Sequence, residues 1–378
     1  MRPKTAKGIG LLATCALATT AMAQTKPRQP IGNTEWAVTP QVKRAVEKGH
    51  EFLASQQHPQ GFWSQNVGFK LNTDYRITTH DSAHVGVTAL ALMSFLAGGH
   101  LPGRGKYGSE ISRGLDYVVS CVRENGYITD SGSRMYSHAF STLFLAEIYG
   151  MTRRANIRRT LQKSVNIIVD SQNTQGGWRY KPFARESDMS ITVCQVLALR
   201  SARNVGISVP RETITRAETY VRSSAVSGQP QRYPRMYRFG HGLDEGGAFR
   251  YQLGSHSRAT FPLTAAGITT LYAAGIYDDE LIERAFDYLD SQRREFSRIF
   301  SGHYFFYYGH YYAMQAYYVA GGNKWTSYFR EIRNDLLDSQ DPTSGSWPCH
   351  TGPGEAFATA VATLILQIPY QYLPIFQR

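Results

Sequence analysis

The chain has 378 residues, 42% of them hydrophobic and 12% aromatic, enough for a sizeable core in one large domain or two ordinary ones. Its formal charge of +12 becomes +9 once Arg2, Lys4 and Lys7 of an N-terminal leader are set aside. The remaining charge is scattered, as in Arg153, Arg154, Arg158 and Arg159 or Arg232, Arg235 and Arg238, which excludes nucleic acid as the expected partner of an exported chain and suits anionic envelope material.

Taken in chain order, residues 1–23 have the form of a signal peptide: a cationic start, a short run rich in Ala, Leu and Thr, and Ala21-Met22-Ala23 before Gln24. The apolar run is shorter than the roughly 20 residues a spanning helix needs. No later stretch is long and apolar enough, so the expectation is export to the periplasm or beyond, with no transmembrane segment after cleavage. Residues 24–40 form a linker rich in Pro and polar residues, and 41–378 form the folded domain. Cys121, Cys194 and Cys349 remain after cleavage. So sparse and odd a set argues against a disulfide framework and leaves at most one bridge, with the pair unspecified.

An internal repeat organises the domain. Residues 48–63 (KGHEFLASQQHPQGFW), 163–178 (KSVNIIVDSQNTQGGW) and 336–347 (LLDSQDPTSGSW) each end an amphipathic helix with Ser-Gln or Gln-Gln, a Gly-containing turn and Trp. Residues 284–292 keep the helix and Ser-Gln without the Gly-x-Trp, while 111–128 and 214–226 are more degenerate copies, the latter rejoining at Gly246-Gly247-Ala248-Phe249. A second helix follows each copy, over 80–99, 137–150, 187–206, 261–275, 309–322 and 354–368. Five of the six stop at or just before a glycine, and all are apolar nearly all round, which marks buried helices; the first helices carry a charged face. Six outer–inner pairs, with an apolar last helix in place of a polar capping repeat, predict a closed all-α (α/α)6 toroid. In the shared motif the glycine supplies a positive φ, the Gln amide bonds backbone groups, and the Trp covers the gap between pairs, all structural roles.

Lys48-Gly49, Phe52-Leu53, Gln57, Gly61 and Trp63 resemble the QW motif of squalene and oxidosqualene cyclases, and Lys163, Ile167-Ile168, Gln172, Gly176 and Trp178 repeat it. The stretch 176–202 is similar to the β-subunits of protein prenyltransferases. The resemblance spans nearly the whole mature chain and implies the terpene-cyclase and prenyltransferase toroid. The chemistry of those families is absent from the sequence: there is no D-x-D-D, no D-C-T-A-E and no Asp-x-Cys, and Ile191 stands where a prenyltransferase has its zinc-binding His. The thioester string G-C-G-E-Q is absent as well. Asp278-Asp279-Glu280 is acidic but opens an outer helix, where carboxylates suit the dipole.

If the inner helices line a cavity, polar residues at their starts are the site candidates: Asp188, His84, His138, His310 and Glu355, with Asp81 and Cys194 beside them. Such a set could supply an acid–base pair or metal ligands. The competing roles are helix capping for Asp81 and Asp188, and hydrogen-bonded core positions for the histidines and for Cys194. The run from His303 to Tyr312 packs seven Tyr and Phe rings and two histidines together, which could stabilise carbocations, stack on sugars, or simply pack. The irregular stretch 224–256, with Arg232, Tyr233, Arg235, Tyr237, Arg238 and His241, could cover the cavity mouth or be a basic surface excursion. Three function classes stay open. One is an isoprenoid- or lipid-binding, cyclase-like protein with Asp188 as the candidate acid; another is a carbohydrate-active enzyme; the third is a non-catalytic envelope scaffold. Metal, cofactor and oligomeric state are unspecified by the sequence.

Overall fold

A computed structural model describes residues 34–71, 74–227, 246–254 and 256–376. The leader expected over 1–23, most of the linker expected over 24–40, and Arg232, Tyr233, Arg235, Tyr237, Arg238 and His241 lie outside the described residues. In chain order the elements are α1 (Pro40–Gln56), β1 (Ser64–Leu71), β2 (Asp74–Ala83), α2 (Val85–Ala97), α3 (Gly108–Ser120) and α4 (Met135–Thr152). They continue with α5 (Ala155–Asp170), α6 (Met189–Asn204), α7 (Arg211–Ser223), α8 (Phe261–Ala274), α9 (Glu280–Ile299), α10 (Tyr304–Ala320), α11 (Gly322–Ser339) and α12 (Glu355–Gln367). The even-numbered helices pack on one another in order, and α12 returns to α2, so the inner ring is closed. The odd-numbered helices form the outer ring.

The burial pattern explains the layering. Every residue of α2 is buried, whereas α1 buries only a stripe that includes Val42, Val46 and Leu53. Inner-helix threonines satisfy their hydroxyls on the preceding turn: Thr142 donates to the His138 carbonyl, Thr192 to Asp188 and Thr270 to Ala266. Polar residues can therefore sit in helices surrounded by protein.

The repeat motif does the joining. Gln57 Nε2 donates to the Gly61 carbonyl of its own turn and to the Glu110 carbonyl of the next outer helix. Gln172 does the same to Gly176 and Thr213, and Gln340 to Gly345 and Ala45, the last pair linking the sixth unit to the first. Trp63, Trp178 and Trp347 are fully buried, and their indole N–H groups donate at 2.7–2.8 Å to Leu53, Ile168 and Leu336 near the end of the outer helix before each. Gly176 has φ +89°, and a Cβ there would lie 2.3 Å from the Arg216 carbonyl oxygen of α7, so only glycine allows that approach. Asp279 caps α9 by accepting from Leu281 N at 2.9 Å, as expected for the acidic cluster.

Three boundaries differ from the sequence expectation. The helix expected from residue 80 starts at Val85, because 74–83 are a strand, and Asp81 is an exposed β2 residue with φ +43° rather than a helix cap. The aromatic run lies within α10, which begins at Tyr304 rather than at 309. Outer helix α9 runs on to Ile299, which is why its Ser-Gln copy has no Gly-x-Trp turn. The three described cysteines are free thiols. Among the described residues no helix is long and apolar enough to cross a membrane.

Candidate functional site

A cavity of about 100 Å³ opens among the N-terminal ends of the inner helices. Helix α2 contributes Val87 and Leu90, α4 contributes Tyr136 and Phe140, and α12 contributes Phe357 and Val361. Helix α10 presents Tyr304, Tyr308 and Tyr311, one stripe at helical spacing, while Phe306 and His310 on its other face pack together with ring centres 4.4 Å apart. The aromatic run therefore serves both purposes, lining the cavity with one face and building the core with the other.

The remaining wall is the β1–β2 hairpin, which supplies Gly68, Phe69, Lys70 and Tyr75. Its strands pair antiparallel from Ser64 with Ala83 to Leu71 with Asp74, and irregularities near Val67 bend it. Contacts that hold it over the ring include Asn66 N donating to the Pro353 carbonyl, Tyr304 Oη donating to the Asp74 carbonyl, and the Tyr75 and Tyr304 rings meeting at 5.8 Å.

Lys70 is the unusual member of this wall. Its ammonium position is buried and has no hydrogen-bond partner among the described residues. It lies 4.4 Å from the Phe305 ring centre, 5.6 Å from Tyr251 and 5.9 Å from Tyr308. Burial, reinforced by Arg258 and opposed by Asp188, pulls its pKa down to about 7. Arg134 also reaches the cavity, its guanidinium 4.2 Å from the Phe69 ring centre.

The residues singled out from sequence are not brought together into one cluster. His84 lines the cavity, caps α2 by accepting from Val87 N through Nδ1 at 3.2 Å, and is held neutral by burial with a pKa near 4. Asp188 caps α6: Oδ1 accepts from Ser190 Oγ and Ile191 N at 2.6 and 2.9 Å, and Oδ2 is buried without a partner among the described residues. Burial raises its pKa, against the pull of those bonds and of Arg179 and Lys70. His138 accepts from Ile128 N through Nδ1 and donates through Nε2 to the Ser164 carbonyl, both at 3.1 Å. That is the place taken in other units by Thr88, Thr192, Thr264 and Thr359, whose hydroxyls accept from Trp63, Trp178, Phe249 and Trp347 N. His138 thus holds its unit together. His310 sits between α9 and α11, with Nδ1 2.6 Å from Tyr328 Oη and Nε2 3.0 Å from Ser297 Oγ. Glu355 is exposed at the start of α12, 3.5 Å from Ser346 Oγ, and Cys194 contacts Tyr312 Oη at 2.9 Å. Among the described residues no three His, Cys, Asp or Glu side chains converge as a metal site.

Lys70 and the hairpin carrying it were missed by the sequence reading. The signal lay in Val67 and Phe69, then Tyr75, Ile77, Thr78 and Thr79, two β-prone runs around Asn72-Thr73.

No protein-family profile and no curated protein matches the chain. Solved structures do. The chain is similar to a type II terpene cyclase from Scytonema in complex with geranylgeranyl dihydroxybenzoate (13% identity, TM-score 0.55, covering 88% of this chain and 98% of that one). It is similar to an α-1,6-mannanase from Salegentibacter (9%, 0.57, 88% and 99%), a variant of which was solved with α-1,6-mannotriose. It is also similar to cellobiose 2-epimerase from Bacillus thermoamylovorans (11%, 0.58, 87% and 99%). At these identities the likeness establishes the α/α toroid fold, which those neighbours use on both prenyl and glycan ligands.

Proposed function

We propose that this chain binds an apolar ligand of the isoprenoid or lipid class, one segment of which enters the central cavity beneath the β1–β2 hairpin. The observation carrying this is the wall itself: Tyr, Phe, Val and Leu side chains from four inner helices, with polar groups confined to Lys70, Arg134, His84 and a few hydroxyls. A glycan site needs many converging hydrogen-bond partners, since each buried sugar hydroxyl left unpaired costs about 1–3 kcal/mol. The leader-like residues 1–23 support export, which places the ligand in the envelope. His84 and Asp188 remain in this proposal as polar groups at or beside the cavity, with Asp188 the candidate proton donor should chemistry follow binding. His138, His310 and Glu355 have structural or surface positions.

The test is displacement of a fluorescent polyene lipid by farnesol, with mannotriose as the contrasting competitor. Farnesol is expected to compete and mannotriose to have no effect; competition by mannotriose alone would reverse the assignment. Val361→Phe puts a ring into existing empty space. It is expected to weaken farnesol binding at least tenfold, about 1.4 kcal/mol, with little loss of thermal stability, because filling a void avoids the strain of overpacking.

A further inference from the structure

Lys70 belongs to the cavity wall, and its amine is buried among the Phe305, Tyr251 and Tyr308 rings with no hydrogen-bond partner among the described residues. A permanently charged ammonium with no acceptor would cost several kcal/mol, and the ring faces at 4.4–5.9 Å return only part of that. The low pKa has the same cause and leaves a large share of Lys70 as free amine at neutral pH. A neutral lysine in an apolar pocket is a competent nucleophile. A carboxylate oxygen of Asp188, without a partner among the described residues, belongs to the same electrostatic environment.

We propose that Lys70 forms an imine with the carbonyl group of an apolar aldehyde or ketone held in the cavity. This rests on the binding function proposed above and narrows the ligand to a carbonyl-bearing one. The nitrogen lone pair attacks the carbonyl carbon and forms the C–N bond as the C=O π pair moves onto oxygen. A proton passes from nitrogen to that oxygen, giving a carbinolamine. Loss of water then leaves the C=N bond, with no change in oxidation state. Asp188, the buried carboxyl that interacts electrostatically with Lys70, balances the charge of a protonated imine. The hairpin and aromatic wall keep out the bulk water that would hydrolyse it.

Incubation of the full chain with farnesal and cyanoborohydride, followed by peptide mass spectrometry, tests this. One reduced adduct per chain is expected, on Lys70, at a rate at least tenfold above any other lysine. Lys70→Met and Lys70→Arg should both lose it, with folding checked by thermal melt and farnesol displacement in each. An adduct spread evenly over exposed lysines overturns the proposal. So does tighter binding of a farnesyl carboxylate than of farnesal that survives in Lys70→Arg, since the amine would then serve only as a charge. Farnesol binding without any Lys70 adduct would refute the imine and leave the binding function standing; absence of both would remove the two together.

Discussion

Acidification is expected to unfold this protein cooperatively with a midpoint near pH 5, well above where most carboxylate networks fail. Four histidines are buried in their neutral form. Burial lowers His50 and His310 to about 3 and His84 and His138 to about 4, against 6.5 in an unfolded chain. Because the folded pKa is depressed, the stability these groups protect is fully present above pH 6.5 and is lost as pH falls towards the folded values. At pH 5 each costs about 2 kcal/mol, roughly 8 together, against a total stability of typically about 5–15 kcal/mol. The cause is visible in the bonding. His84 and His138 each accept a backbone N–H at Nδ1, so protonation there breaks a cap or a repeat bond.

Glu147 works in the opposite direction. It is fully buried, accepts from Ser201 Oγ and from Ile375 N, and burial lifts it to about 7. It therefore favours folding as pH falls from 7 towards 4.5, returning about 2 kcal/mol at pH 5. Asp188, which burial also raises, acts the same way as Glu147, and the four histidines set the net effect towards unfolding. Far-ultraviolet circular dichroism against pH checks it, and native signal persisting at pH 4 would contradict it. His138→Thr copies the other repeats and should lessen the steepness of stability against pH by about one proton.

The second large effect is expected at the repeat. Trp63→Ala should lower the unfolding free energy by about 4 kcal/mol, because it deletes a fully buried indole and orphans the Leu53 carbonyl. Trp178→Ala and Trp347→Ala should match it, since each indole makes the same bond. Gln340→Ala removes one bond across the seam between the last and first units, to the Ala45 carbonyl, and one within its own turn, to Gly345, about 2 kcal/mol together. In a closed ring that seam is no weaker than the internal ones, so Gln57→Ala should cost the same. Urea unfolding of the five variants measures this. A seam variant close to wild type would mean that the units stack as an open array.

The ring was legible in the sequence because its signals are local and repeated: a Gln, a Gly and an aromatic residue at fixed spacing, then an apolar helix. The motif's Gln–carbonyl bonds are the structural role expected of it. The site was less legible. Matching polar residues at inner-helix starts suggested a common constellation, yet position within each unit divides them: His84 and Asp188 are caps, while His138 replaces a threonine one turn later. His310 lies on the α10 face turned to α11, a distinction that helical periodicity could have drawn from Tyr304, Tyr308 and Tyr311. Lys70 was invisible because nothing local marks a lysine as buried. Its environment is made by residues 181 and 235 positions away, Tyr251 and Phe305, which only the closed ring brings near.

On the proposed function, an apolar ligand sits in the aromatic cavity under the hairpin. Photolabelling with a diazirine-bearing farnesol analogue, followed by peptide mapping, tests it directly. The adducts should fall on α10 around Tyr304–Tyr311, on α4 around Tyr136 and Phe140 and on β1, and excess farnesol should suppress them. Labelling confined to the outer helices, or labelling that farnesol does not suppress, would contradict it.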